Sequence, residues 1–148
     1  MKFEHTITVD APIEAVRTFF TDVPAVAALV PGIEDTTPVE GGAYEGKLRI
    51  RVGPLAFTIA GRATVEQDAD GTWRMRGDGK DGRIGAGVSA NLEAQLREVT
   101  PATTEVQAVA DLQFSGRLGE LGQPLIKRKA DAMLEEFTEN LQAHFRSA

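Results

Sequence analysis

Cysteine is absent from this 148-residue chain, which excludes disulfides, thiolate nucleophiles and cysteine-ligated metal centres together. Histidine is scarce. His5 and His144 are the only two, and two imidazoles without a neighbouring carboxylate do not make a metal site; each reads as a satisfied core or cap residue, and the two would approach if the last helix ended over the first strand. Serine occurs only at Ser89, Ser115 and Ser147, none of them in the surroundings of a nucleophile elbow. Long apolar runs are also missing: no stretch approaches the roughly 20 residues that cross a bilayer. The opening "MKFEHTITVDAP" is charged and alternating, unlike a signal peptide. There is no positive excess either. A net charge of −6 argues against nucleic acid as a partner, since that surface needs a basic footprint. A soluble cytoplasmic domain is therefore expected.

What the chain does contain is an ordinary globular composition, 42% hydrophobic and 26% charged, enough for one domain over residues 1–148 with a real core. Phe3, His5, Ile7 and Val9 alternate with polar residues and predict a strand. "DAPIEAVRTFFTD" then changes period, with Ile13, Val16, Phe19 and Phe20 at helical spacing behind Pro12. "VPAVAALV" predicts a second short helix that stops at Pro31-Gly32. From there to Phe114 the pattern is strand-like, broken by turns such as "DADG". The last segment sets Ile126, Ala130, Met133, Phe137, Leu141 and Phe145 on one stripe. A helix of about 25 residues there would be about 37 Å long, enough to cross a sheet. Sequential strands with short connections favour antiparallel pairing, and an apolar sheet face needs that helix as its cover. The expected class is α+β: a curved antiparallel sheet gripping one long C-terminal helix, with two short helices after the first strand.

One run invites a different reading. Gly85-Ala86-Gly87-Val88-Ser89-Ala90 satisfies G-x-G-x-x-G/A, with Glu105 near the distance of a ribose-binding acid. The dinucleotide motif needs a helix directly after the glycines. Instead Ala86, Val88, Ala90, Leu92, Ala94 and Leu96 alternate strictly with more polar positions, which makes one clean face only on a strand. Gly79, Gly82 and Gly85 are better read as hairpin and bend positions.

The inward positions are unusually light: Gly61, Ala63, Gly77, Ala86, Ala90, Ala94, Ala108 and Ala110. Voids cost about 24 cal/mol per Å3, so such a lining implies one of two things. Either the space is kept for an apolar ligand, or small residues let a strongly bent sheet approach the helix. Asp68, Asp70, Asp78 and Asp81 sit around turns without calcium-loop spacing and read as solvated. Tyr44, the only tyrosine, either packs at a strand start or donates a hydrogen bond into a cavity. Lys47, Arg49, Arg51, Arg62, Arg74 and Arg76 would share the outer surface of three strands. Such a face is ordinarily solvated and discourages sheet aggregation, and it could also meet an anionic membrane or an acidic partner.

Together these residues resemble the CoxG family of carbon monoxide dehydrogenase subunits, within the START-like helix-grip superfamily. The resemblance rests on Ala11-Pro12, Pro31-Gly32, "YEGKLRIRVGPLAFTIAGRATVEQDADG", "GDGKDGRIGAGVSA" and "GRLGELGQPLIKRKADAMLEEFTENL", and spans nearly the whole chain. It implies a non-catalytic accessory to an aerobic molybdenum-dependent CO dehydrogenase or related molybdenum hydroxylase, associated with placing that enzyme at the inner face of the cell membrane and passing its electrons to quinone. Many members continue into a linker and a membrane-attaching tail, whereas this sequence ends at Ala148. No covalent cofactor is implied; the expected ligand is a quinone such as menaquinone, or another lipid. The residues expected to line its site are Leu48, Ile50, Phe57, Ile59, Trp73, Met75, Val88, Leu92, Phe114, Leu121, Leu125, Met133 and Phe137. A recruitment module with an incidental cavity is the alternative. A cyclase- or hydrolase-like enzyme is weaker, with only His5 and Tyr44 to offer.

Overall fold

The computed structural model describes residues 1–146, so Ser147 lies outside it. The order of elements is β1 (Lys2–Val9), α1 (Ile13–Phe20), α2 (Val23–Ala27), β2 (Ile33–Val39), a single 3-10 turn (Glu40–Gly42), β3 (Ala43–Val52), β4 (Leu55–Gln67), β5 (Trp73–Asp81), β6 (Ala86–Thr100), β7 (Thr103–Ser115), α3 (Gly116–Gly119) and α4 (Gln123–Arg146). All seven strands form one antiparallel sheet in the order β1-β7-β6-β5-β4-β3-β2. Alternation dictates its two faces. Even positions of β6 and β7 and odd positions of β1 and β4 point inward, as their burial shows. The glycine-rich run is the β5–β6 turn followed by a 15-residue strand, and Glu105 is held by Arg97 at 2.9 Å; no helix follows the glycines, so the dinucleotide reading falls.

Two glycines are needed where the sheet coils most tightly. In register, Gly46 faces Gly61 and Gly61 faces Gly79. A Cβ on Gly61 would lie 2.6 Å from the Asp78 carbonyl oxygen, and one on Gly79 2.7 Å from Ile59 Cγ2. Only a residue without a side chain lets these strands cross so closely.

The 24-residue α4 carries the expected stripe, but the core beneath it is not continuous. At one end Ile7, Val9, Ala11, Val16, Val106 and Leu141 are buried with Phe19, Phe20, Leu96, Phe137 and Phe145 packed around them. At the other, Val52, Phe57, Ile59, Ala86 and Leu118 are buried among Leu48, Ile50, Val88, Phe114, Leu121 and Leu125. Thr104, wholly buried, seals the first end by donating to the Ala11 carbonyl at 2.8 Å.

Asp81 departs from the expected solvated turn. It is 4% exposed and accepts hydrogen bonds from the Thr58 amide at 2.9 Å, the Arg83 amide at 3.1 Å and the Arg83 guanidinium at 3.2 Å. Its place is fixed by register: opposite Ala86 it points inward. Asp68 instead pairs with Arg74 at 2.6 Å and Asp70 accepts from the Thr72 amide at 3.0 Å. The bond from Thr58, then Arg83, holds the Asp81 carboxyl below its ordinary value. A depressed folded-state value stabilises the fold above the unfolded pKa of about 3.9 and is lost as pH falls through the folded value. Melting temperature measured between about pH 2.5 and 6 should therefore fall less steeply below pH 4 in Asp81→Asn than in the parent, from a lower starting value.

Candidate functional site

Between the two packed ends lie three consecutive cross-strand rows of the inner face. Tyr44, Ala63, Gly77, Ala90 and Leu112 form one row. Val65, Met75, Leu92, Ala110 and Phe3 form the next, and Trp73, Ala94, Ala108 and His5 the third. Apart from Phe3, every one of these residues is only half-buried, as are Ala130, Met133 and Leu134 on the stretch of α4 between the two clusters. The rows are rich in alanine and glycine, so side chains from sheet and helix do not close the space as they do at both ends. The result is a stretch of half-buried, largely small residues between two closed ends.

One polar atom there lacks a partner. Among the described residues the buried Trp73 indole N–H has no acceptor, a state that costs about 1–3 kcal/mol. His5 is differently placed. Its Nε2 lies 2.8 Å from Thr138 Oγ1, and that hydroxyl donates to the Leu134 carbonyl at 2.8 Å. Because the hydroxyl proton is used on Leu134, His5 Nε2 donates, and the residue ties β1 to α4. His144 instead stacks on Phe19 with centroids 4.2 Å apart, so the two histidines do not meet. Among the described residues no group of three or more His, Asp or Glu could hold a metal. Tyr44 stands on β3 and His5 on β1, with four strands between them, so they form no acid–base pair.

The expected lining residues divide into four groups. Leu48, Ile50, Phe57, Ile59, Val88, Phe114, Leu121 and Leu125 pack together at the closed end near Leu118, where Phe57 and Ile59 are wall. Trp73, Met75 and Leu92 lie in the open rows, with Met75 opposite Leu92. Phe137 belongs to the other closed end. Met133 borders a cavity of about 160 Å3, between the Pro31–Gly32 turn, the end of β3 and α4, with Arg49, Ile50, Arg51, Lys129, Ala132 and Glu136. Alternation did not reveal the contribution of Val65, Leu112 and Leu134, because only the register shows which rows lie between the packed ends.

The outer face holds a feature the alternation did not announce. A trough of about 950 Å3 crosses β2 to β7, floored by Ala60, Gly61, Gly79 and Gly87 and walled by outward side chains including Glu45, Lys47, Arg62, Asp78, Lys80 and Ser115. Lys47, Ala60, Lys80, Gly87 and Ser115 share one row, and Glu45, Arg62, Asp78, Ser89 and Gln113 the next. Among the described residues Lys47, Lys80, Glu45 and Asp78 have no ion-pair partner. The expected basic strip, by contrast, is partly neutralised. Arg49 pairs with Glu34 at 2.9 Å, Arg74 with Asp68 and Glu93, and Arg62 donates to the Glu40 carbonyl at 3.2 Å.

A curved seven-stranded antiparallel sheet around a long C-terminal helix defines a START-type helix-grip domain. The fold is shared with a conserved protein from Geobacillus kaustophilus (15% identity, TM-score 0.88, 99% of this chain and 96% of that one). It is shared too with a START superfamily protein from Mycobacterium smegmatis (15%, 0.70, 99% and 97%) and the Zhui aromatase/cyclase of a Streptomyces species (16%, 0.70, 99% and 93%). The model of the CoxG family of carbon monoxide dehydrogenase subunits matches residues 6–145, and the chain belongs to that family. No curated protein matches. Among the described residues no helix is long and apolar enough to cross a membrane.

Proposed function

We propose that the domain binds a hydrophobic small molecule in the hollow between sheet and α4 and acts, without catalysing a reaction itself, as an accessory to an aerobic molybdenum-dependent CO dehydrogenase. The ligand is a respiratory quinone of the menaquinone kind, exchanged between the enzyme and the inner face of the cell membrane. The observation that carries this reading is the split core: three rows of residues, mostly apolar and, Phe3 apart, only half-buried, lie between two ends that are packed shut. Apolar surface left open forgoes about 25 cal/mol per Å2, which a ligand would recover. The unpaired Trp73 indole N–H supplies a donor at the same face, and the family supplies the enzyme. Native mass spectrometry of gently purified protein should find a lipid-like adduct. Protein that is empty and takes up no menaquinone analogue would overturn the reading.

The outer trough favours a second reading, a recruitment module whose hollow is incidental, because its Glu45, Lys47, Asp78 and Lys80 have no ion-pair partner among the described residues while Arg49 and Arg74 are satisfied. Under it, K47E/K80E should weaken association with the purified CO dehydrogenase about tenfold or more, as for loss of desolvated charge pairs, without altering uptake of the menaquinone analogue. Unchanged association, measured by surface plasmon resonance, would rule the trough out as the contact.

A further inference from the structure

A small cavity lies where the Pro31–Gly32 turn, the end of β3 and α4 come together. The 160 Å3 cavity by the Pro31–Gly32 turn is lined by the apolar Ile50 and Met133 and by the cationic residues Arg49, Arg51 and Lys129. At roughly 30 Å3 per water it has room for a head group and not for a long chain. Both apolar residues are half-buried. Ile50 also packs against the closed end around Phe57, and Met133 belongs to the stretch of α4 that spans the hollow.

The lining is electrostatically unfinished. Arg49 is tied to Glu34 at 2.9 Å, but Arg51 and Lys129 have no carboxylate within ion-pair distance among the described residues. Arg51 is exposed and Lys129 half-buried, the latter with its stem against the helix surface rather than free in solvent. Glu136 is the one acid in the lining. Two uncompensated cations beside an apolar aperture, on a chain of net charge −6, match a molecule with accepting oxygens at one end and hydrocarbon at the other.

We propose that this cavity is the mouth of the hollow, and that Arg51 and Lys129 hold the hydrogen-bond-accepting oxygens of an amphiphile's head group while its hydrocarbon part runs inward past Ile50 and Met133. The proposal rests on the hydrophobic-ligand reading and adds to it the end of the ligand that is recognised. The shared chemistry is an accepting oxygen, whether the carbonyl of a quinone or the carboxylate of a fatty acid.

Three probes separate these cases on the full chain. Diphenylhexatriene has no head group, cis-parinaric acid carries a carboxylate, and a short-chain menaquinone analogue carries carbonyls and is followed by quenching of Trp73. R51Q/K129Q should leave diphenylhexatriene affinity unchanged and weaken the head-bearing probes by about tenfold, the usual worth of a hydrogen bond to a charged group. Loss confined to parinaric acid assigns an anionic head, and loss of both assigns any accepting oxygen. Glu136→Gln, an exposed change of opposite sign, should tighten parinaric acid. Wild-type affinity of R51Q/K129Q for all three probes would overturn the mouth while leaving the hollow in place. Failure of all three to bind the parent protein would overturn both.

Discussion

Replacing Phe57 by Ala should lower the free energy of unfolding by about 3–5 kcal/mol, read as a fall in the urea midpoint at unchanged slope. Phe57 is 2% exposed and is among the largest fully buried side chains. It stands on β4 opposite Ile50 and is packed by the residues around Leu118. Truncation leaves a cavity that the tightly coiled strands beside it cannot collapse to fill. For a domain of ordinary stability, about 5–15 kcal/mol, that is a large share. The same truncation at Met75, on β5 but in the open rows, should cost distinctly less, because part of that side chain already faces empty space. Equal losses at Phe57 and Met75 would mean that the core is continuous and that the hollow is not a distinct feature.

Ala90→Phe should produce the opposite pattern, a small change in stability and a large one in binding. Ala90 lies between Gly77 and Leu112 in its row, and Gly77 offers no side chain to collide with. The new ring would lie in the hollow and bury apolar surface there, so unfolding should shift by no more than about 1 kcal/mol in either direction, against the 1–3 kcal/mol that overpacking costs in a filled core. Occupying the ligand's space should reduce affinity for a menaquinone analogue at least tenfold, equivalent to about 1.4 kcal/mol. Isothermal titration calorimetry and thermal melting on the same sample decide the matter. A variant that melts far lower shows that the rows are packed in the parent; one that binds as before places the ligand elsewhere.

Much of the scaffold was legible because single-residue periodicity is a local property. The strict alternation from Ala86 to Leu96 predicted β6 and removed the nucleotide reading, and the stripe from Ile126 to Phe145 predicted α4. Eight of the thirteen expected lining residues were legible only as apolar and inward. That they pack shut against one another, while Met75 and Leu92 stay open, depends on which rows the pairing register brings under which turn of the helix. Asp81 shows the same limit. Its turn-like neighbourhood suggested solvent, and its position opposite Ala86 buried it. Arg49 and Arg74 were legible as outward cations, whereas their neutralisation by Glu34, Asp68 and Glu93 depends on side chains from other strands and from the turn before β5. The outer trough is a product of curvature, and its floor of Gly61, Gly79 and Gly87 comes from three strands whose adjacency no local pattern encodes.

The pairing of β1 with β7 has a consequence for how the chain reaches this state. Lys2 sits opposite Asp111 and Val9 opposite Thr104, so the first strand of this domain to be made has its partner in the last strand of the sheet. Until β7 emerges, Phe3, Ile7 and Val9 have no sheet to join, while β3 to β7 assemble through local hairpins. Closing a loop of that length before any contact rewards it is the step that topology makes slow. The N-terminal strand is thus the last to be sheltered, and its apolar edge is the part of the nascent chain most exposed to misassociation.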